Sequence, residues 1–292
     1  MEESGSNMMC SSPSRILTKT KDGEELLLEV PCGRCIQCRI ARSREWTCRL
    51  TAELSSWDAA SFVTLTFSDE NYGKPSLDKR DLQLFFKRLR KKLDGRKIKY
   101  FACGEYGDTF GRKHYHCLIY GLSVSEGRLI IPDVWPFGRI SCDRVNPNRI
   151  AYVAGYVQKK LYRDKDFKRE HSDLLPPFQL ISKGLGVDFM KDNSAQLIQN
   201  LYVKDVTGKS YALPRYYKKK LEIPTERLHS LSVDSKIDLM HSHGFSDFDE
   251  SDAESVEAAY YWFSLTNKSM ARERIQSTKN ALAKKSNFGK RG

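Results

Sequence analysis

The chain has 292 residues and a formal net charge of +12, from 49 lysines and arginines against 37 aspartates and glutamates. This length predicts one larger domain or two small ones with a substantial core, and the basic charge favours nucleic acid over a membrane surface as the partner. Because the sequence has neither an apolar run of about eighteen residues nor a signal-peptide core, it predicts a protein that is neither membrane-spanning nor secreted. Its eight cysteines therefore indicate reduced thiols or metal ligands rather than a disulfide framework.

Shifts in composition divide the chain into five parts. The interleaved aromatic and basic residues of the fourth part suit single-stranded nucleic acid, and they equally suit a loop-rich lobe that covers the core. The basic end of the fifth part predicts non-specific affinity for DNA. In chain order the parts are a polar, serine-rich N-terminus expected to be mobile (1–24), a cysteine cluster with a helix (25–60), a core of strands and helices (61–162), a basic aromatic lobe (163–240), and an acidic linker followed by a helix and a basic tail (241–292).

Three cysteines near the N-terminus stand at intervals of three residues: Cys32, Cys35 and Cys38. They offer three soft ligands, and a fourth from Cys48 or Cys10 would complete a tetrahedral zinc site with a structural role. The alternative is a compact loop with buried thiols. A helix is predicted directly after the cluster.

Alternating and helical patterns predict the elements of the core. Apolar side chains alternate with Thr64 and Thr66 in the first strand, which gives it a polar face that could line a site. Strands are predicted over 62–67, 98–107, 113–121 and 138–145, and helices over 77–93 and 151–162. The order strand, helix, strand, strand, strand, helix predicts an antiparallel sheet with helices on one side, in the α+β class.

Two histidines share one face of the strand over residues 113–121, because His114 and His116 are two apart and side chains alternate along a strand. The preceding strand ends in glycines, and Gly111 suits a turn that would pair the two strands as antiparallel neighbours. That pairing would set Glu105 beside His114. Two imidazoles and a carboxylate then form a candidate site for a divalent ion, and the alternative is three ordinary surface or core side chains.

The helix over residues 151–162 carries Tyr152 and Tyr156 at positions i and i+4, so both hydroxyls project from one face, and Lys159 lies on the same stripe. Gly155 costs about 1 kcal/mol relative to alanine in a helix, which close approach of a nucleic-acid backbone would explain. The alternative is an amphipathic helix whose tyrosines pack on a core. Together with the candidate metal site, the helix supplies what attack of a tyrosine on a phosphodiester needs: a cation for the non-bridging oxygens, a nucleophile, and a positive group near the developing charge.

The motifs occur in the order Thr64-Leu65-Thr66-Phe67, Gly104-Glu105-Tyr106-Gly107, His114-Tyr115-His116 and Tyr152-x3-Tyr156-x2-Lys159, with further stretches at residues 31–39, 178–182 and 213–217. This order resembles that of the HUH endonucleases, the rolling-circle replication initiators, in the subgroup with two tyrosines. More closely, it resembles the replication initiators of microviruses, small phages with single-stranded DNA, in the gokushovirus branch. The resemblance covers residues 30–222.

The resemblance implies a ferredoxin-like or RRM-like core within residues 61–162 and an enzyme that nicks and joins DNA at a specific site through a 5′-phosphotyrosine. It implies as partners single-stranded DNA, the origin in supercoiled replicative-form DNA, and the host helicase and polymerase, in the cytoplasm of a bacterial host and without a membrane. The residues carried over are Glu105, His114 and His116 for Mg²⁺ or Mn²⁺, Tyr152 and Tyr156 as nucleophiles, and Lys159 as an assisting cation. Further DNA contacts are expected from Thr64, Thr66, Arg39, Arg42 and Lys160.

Two other classes of function fit parts of the sequence. A non-catalytic nucleic-acid-binding protein on an RRM-like sheet would need exposed aromatic residues on the sheet but not the tyrosine pair. A mononuclear non-haem iron oxygenase uses the same ligand set of two histidines and a carboxylate. The basic charge and the spacing of Glu105, His114 and His116 disfavour the oxygenase.

Overall fold

The computed structural model of the chain describes residues 10, 12–19, 23, 25–107, 111–159, 172–205, 208, 210–224, 233, 234, 236–238 and 240–266. It divides into two compact units, one within residues 1–38 and 218–292 and the other within residues 39–217. In chain order the strands are β1 (Ser14–Lys19), β2 (Glu25–Val30), β3 (Ala60–Leu65), β4 (Lys99–Tyr106), β5 (Lys113–Tyr120), β6 (Ile140–Arg144), β7 (Phe178–Ile181), β8 (Tyr202–Lys204) and β9 (Ser210–Ala212). The helices are α1 (Ile36–Leu54), α2 (Lys79–Lys92), α3 (Val124–Val134), α4 (Pro147–Lys159), α5 (Val187–Asp192), α6 (Ser194–Asn200), α7 (Arg215–Lys220) and α8 (Ala253–Thr266).

The larger unit is built on a five-stranded antiparallel sheet in the order β6-β3-β5-β4-β7. Within it, the run β3-α2-β4-β5-α3-β6 with strand order β6-β3-β5-β4 is the ferredoxin-like βαββαβ arrangement. The predicted α+β class and the antiparallel sheet are therefore confirmed. Strand β7 adds an edge next to β4.

Helices α2 and α3 cover one face of this sheet. Side chains alternate along a strand, so Tyr115, Cys117 and Ile119 of β5 all point to this face and are fully buried. Helix α2 begins at Asp78, whose carboxylate accepts the Arg80 N–H at 2.8 Å, a normal N-terminal cap. The predicted apolar stripe of α2 is the one that is buried against the sheet: Leu82, Phe85, Phe86 and Leu89.

The opposite face of the sheet is covered as well, by α1 and α4. The strand side chains on this face are apolar and buried, because Phe62, Phe101 and Leu118 pack with residues of the two helices. The prediction of helices on one side only is therefore wrong for the complete unit, although it holds for α2 and α3. Strands that are apolar on both faces need a cover on both faces. The helix residues in this second cluster include Leu50 of α1 and Ile150, Val153 and Ala154 of α4.

Three elements were missing from the sequence prediction. Helix α3 carries a recognisable start, since Ser123 accepts the Glu126 N–H at 3.2 Å and the Ser-x-x-Glu spacing is that of a capping box. Strand β7 has only four residues and no local signal, so its pairing with β4 depends on tertiary contacts. Strand β1 lies within the segment expected to be mobile and pairs with β2 as an antiparallel hairpin.

The smaller unit contains this hairpin and a separate apolar cluster formed by Met240, Val256, Ala259 and Phe263. Among the described residues, no helix combines the length and apolar character that crossing a membrane requires.

Candidate metal and tyrosine site

The register of β4 and β5 brings the predicted metal ligands together. Glu105 lies directly opposite His114, and Cys103 lies opposite His116. The turn that joins the strands is closed by the Gly107 N–H, which donates to the Arg112 carbonyl at 2.9 Å. The predicted antiparallel pairing of the two strands is thus confirmed.

The Glu105 carboxylate lies between the two imidazoles. Its Oε1 atom is 2.8 Å from His114 Nε2 and 2.9 Å from His116 Nε2, and the three candidate ligand atoms all lie within 4.8 Å of one another. The imidazole centroids are 4.9 Å apart, and the ring planes are nearly perpendicular at 87°. Glu105 is only 3% exposed, so this carboxylate is held by the fold rather than free to swing into solvent.

The protonation of His114 can be deduced from its second ring nitrogen. His114 Nδ1 lies 3.0 Å from the Arg112 carbonyl oxygen, which can only accept a hydrogen bond, so Nδ1 must donate. In the neutral ring, Nε2 then presents a lone pair toward Glu105 Oε1, which presents another. Two lone pairs at 2.8 Å repel unless a cation or a proton lies between them. A carbonyl that fixes the non-ligating nitrogen is common at metal-binding histidines, so these three residues fit a divalent ion.

His116 is positioned by two neighbours on the strand beside it. Thr64 of β3 lies opposite His116 in the sheet, and its Oγ1 is 3.0 Å from His116 Nδ1. The Phe62 ring stacks on the imidazole at a centroid distance of 5.5 Å. Thr66, on the same face of the chain as Thr64, instead donates from Oγ1 to the Arg139 carbonyl at 2.8 Å. The two threonines therefore have different partners, although the sequence assigned them one role.

Helix α4 brings a tyrosine hydroxyl to the same site. The Tyr152 hydroxyl donates to Glu105 Oε1 at 3.3 Å and lies 3.5 Å from His116 Nε2. Its ring meets the His116 ring edge-on, with 5.3 Å between centroids. Tyr152 is 48% exposed, so its hydroxyl is open to a ligand from solvent and does not pack into the core, contrary to the alternative interpretation of this helix. The α4 backbone includes Tyr156 and Lys159, but their side chains lie outside the described part of the structure.

The remaining predicted DNA contacts stay predictions. In α1, Arg42 is exposed and Arg39 is half-buried. Lys160 lies outside the described residues. The features that sequence reasoning missed are the Arg112 carbonyl and the Phe62 ring. A main-chain acceptor leaves no residue-specific signal, whereas Phe62 could have been found from its position two residues before Thr64 on the same strand face.

A second group of candidate ligands is formed by the sulfur atoms of Cys10, Cys32, Cys35 and Cys38, which also lie within 4.8 Å of one another. The predicted ligand set with Cys48 needs correction, because the fourth sulfur of this group is that of Cys10. Cys48 is buried in α1, ten residues beyond Cys38. That separation is about 15 Å along a helix, too far for a shared ion. The Arg34 and Cys35 N–H groups donate to Cys32 Sγ and hold the pKa of this thiol below its ordinary value.

Fold and site together define an α+β protein with a ferredoxin-like sheet that carries a candidate site of two histidines and one carboxylate beside a tyrosine hydroxyl. A family model for replication-associated proteins of the ORF2 type matches residues 60–161, the segment that contains this site. The chain belongs to the replication-associated proteins of microviruses, and it therefore has a role in viral replication.

The relatives come from three different phages. The chain is 30% identical over 210 residues to replication-associated protein ORF4 of Chlamydia phage 1, which covers 65% of the chain and 52% of the relative. It is 31% identical to replication-associated protein VP4 of Bdellovibrio phage phiMH2K, over 64% of the chain and 65% of the relative. It is 30% identical to replication-associated protein ORF2 of Spiroplasma virus 4, over 66% and 68%. The chain thus spans about half the length of the first of these relatives, and no solved structure matches it.

Proposed function

We propose that the chain starts phage DNA replication by nicking one DNA strand at the origin and later rejoining the ends, through a phosphotyrosine formed on Tyr152. The observation that carries the proposal is the position of the Tyr152 hydroxyl, 3.3 Å from Glu105 Oε1 and 3.5 Å from His116 Nε2, on a half-exposed side chain. A nucleophile accessible to a DNA strand and adjacent to a site for a divalent ion is what phosphodiester transfer requires. The replication-associated names of the relatives agree with this role.

In the first step, Tyr152 Oη attacks the phosphorus, so that an O–P bond forms and the bond to the 3′ oxygen breaks. The hydroxyl proton passes to solvent on the exposed side of Tyr152, and the departing 3′ oxygen takes up a proton, with Lys159 as the proposed assisting group. Mg²⁺ or Mn²⁺ held by Glu105, His114 and His116 would neutralise the non-bridging phosphate oxygens. The product is a 5′-phosphotyrosine and a free 3′ hydroxyl for a polymerase.

A second tyrosine explains how a round could end. Tyr156 follows Tyr152 by one helical turn of α4. It can cleave the regenerated origin while Tyr152 still holds the first end, and the released 3′ hydroxyl then attacks the first phosphotyrosine and closes the circle. Each phosphodiester is replaced by another, so joining needs no ATP. The proposed partners are single-stranded DNA, the supercoiled replicative form and the host helicase and polymerase, inside the bacterial host.

The geometry disfavours the non-catalytic alternative. Base stacking on an RRM-like sheet needs aromatic residues on an open face. In the larger unit, Phe62, Phe101 and Tyr120 lie under α1 and α4 in the second cluster and are buried. The sheet faces of the described core are therefore closed to bases, and DNA would have to reach the site at its edge, where Tyr152 is exposed. Membership of a family of replication-associated proteins disfavours the oxygenase.

The test uses overlapping single-stranded oligonucleotides that tile the phage genome, each labelled at one end, incubated with the full chain and Mn²⁺. A 5′-phosphotyrosine retains the downstream fragment, so we expect a denaturation-resistant adduct that carries a 3′-end label and never a 5′-end label. Tyr152→Phe should lower adduct formation by at least about tenfold, since the nucleophile is removed. Tyr202→Phe is the matched control, because Tyr202 is an exposed tyrosine of the same unit.

An adduct that carries only the 5′-end label would overturn the proposed polarity. The absence of any adduct across the whole genome with the parent protein would reject the function. Undiminished adduct in Tyr152→Phe, mapped by peptide mass spectrometry to Tyr156 alone, would show that Tyr152 is not the nucleophile of the first step.

A further inference from the structure

The cysteine group of the smaller unit has the dimensions of a tetrahedral thiolate site. Four sulfurs bonded to one ion at about 2.3 Å lie about 3.8 Å apart at tetrahedral angles. Cys10 Sγ and Cys35 Sγ are 3.7 Å apart, and all four sulfurs lie within 4.8 Å of one another. A disulfide would join two sulfurs at about 2.05 Å, which accounts for neither this distance nor the convergence of four.

The main chain around Cys32 is arranged to support sulfur that carries negative charge. Cys32 Sγ accepts the Arg34 N–H at 3.4 Å and the Cys35 N–H at 3.3 Å, and Cys10 Sγ accepts the Cys32 N–H at 3.3 Å. This curl of the chain needs Gly33 at φ +70°, a conformation that residues with a Cβ rarely adopt. Three N–H groups thus point at sulfur atoms of two of the four cysteines.

We propose that Cys10, Cys32, Cys35 and Cys38 bind one Zn²⁺ ion in a closed, structural site. Four protein sulfurs complete the tetrahedron, so no position remains for a substrate or a reactive water. Binding replaces the thiol hydrogens with Zn–S bonds and releases those protons to solvent, with no change of oxidation state. The ion would join Cys10, which precedes the β1–β2 hairpin, to the loop after the hairpin and to the first turn of α1.

The first measurement is the zinc content of the full chain, purified under reducing conditions without chelator. We expect close to one zinc per chain. After removal of zinc, titration with Co²⁺ should produce the strong thiolate-to-cobalt absorption of a four-sulfur site, and added Zn²⁺ should abolish it. Neither readout depends on nicking, so the zinc site and the proposed function can fail independently.

Variants identify the fourth ligand. Cys10→Ser should weaken zinc binding by more than about 100-fold, because loss of a ligand costs more than loss of a partner that only orients one. Cys48→Ala is the matched control, since Cys48 is the other cysteine near this segment and is buried in α1 without belonging to the group. It should leave the zinc content unchanged even if it lowers stability. Retained zinc in Cys10→Ser, or loss of zinc in Cys48→Ala, would overturn the assignment of Cys10.

The parent protein alone also tests the proposal if a variant fails to fold. Alkylation followed by peptide mass spectrometry should show Cys10, Cys32, Cys35 and Cys38 protected with zinc and reactive after chelation, while Cys103 and Cys117 of the buried core stay unreactive in both states. Protein that contains no zinc and shows no thiolate-to-cobalt absorption would reject the site. A mass lower by two hydrogens per cysteine pair under these reducing conditions would assign the group to disulfides instead.

Discussion

Replacing Thr64 with valine tests whether the Thr64 hydroxyl supports the candidate metal site or merely the sheet. Valine has nearly the same shape and suits a strand, so the main loss is the 3.0 Å hydrogen bond to His116 Nδ1. His116 is 7% exposed, so water replaces this partner poorly. Losing an orienting partner of a metal-binding histidine lowers metal affinity by about 10–100-fold.

The expected size of the effect follows from linkage between metal binding and folding. At a Mn²⁺ concentration 100 times the dissociation constant, binding stabilises the parent by about 2.7 kcal/mol. A tenfold weaker site gains about 1.4 kcal/mol at the same concentration, and a hundredfold weaker site gains about 0.4 kcal/mol. The stabilisation by Mn²⁺ should therefore fall by about half or more in Thr64→Val.

Thr66→Val is the matched control on the same strand face. Its hydroxyl donates to the Arg139 carbonyl at 2.8 Å, away from the histidines. In chelator, each variant should lose about 0.5–1.5 kcal/mol of unfolding free energy, the value of one hydrogen bond. The assay is urea denaturation of both variants and the parent, with chelator and with Mn²⁺. Only Thr64→Val should lose part of the Mn²⁺ increment.

Equal Mn²⁺ increments in the two valine variants would refute the reasoning, because the Thr64 hydroxyl would then have no influence on metal binding. The absence of an increment in the parent would go further and remove the metal site itself. Glu105→Gln gives the baseline, since it keeps the shape of the side chain and removes the ligand charge.

Two further predictions concern α4 and the buried network beneath α1. Among the described residues, no atom lies within 4 Å of the position that a Cβ of Gly155 would take. Gly155→Ala should therefore raise the unfolding free energy by about 1 kcal/mol while weakening single-stranded DNA binding measured by fluorescence anisotropy; unchanged binding would mean that no strand approaches this glycine. Lys99 Nζ lies 2.8 Å from both Glu53, which is fully buried, and Asp188. Lys99→Met strands the buried Glu53 charge and should cost about 3–5 kcal/mol in denaturation at neutral pH. Because the hydrogen bond from Lys99 lowers the pKa of Asp188, that part of the stability is present above about pH 4 and is lost as the pH falls through the lowered pKa, so the deficit should narrow in acid. A deficit under about 1 kcal/mol would show that Glu53 is not stranded in the variant.

Local patterns in the sequence determined much of the candidate metal site. The spacing of His114 and His116 fixes a common face on β5, and the short turn before them makes β4 the antiparallel neighbour, which sets Glu105 opposite His114. Both inferences use separations of at most eleven residues, over which strand alternation and turn geometry leave few choices.

Only the tertiary structure decided which distant groups complete the sites. Helical spacing put Tyr152 on one face of α4, but its approach to Glu105 depends on Val153 and Ala154 packing beneath α1, on a sheet face that the sequence left uncovered. The fourth sulfur is that of Cys10, because the chain before β1 returns to the loop after β2, whereas Cys48 is carried away along α1. Periodicity fixes the direction of a side chain within one element. The choice of neighbour for that face follows from the burial of apolar surface summed over many elements, which no single segment contains.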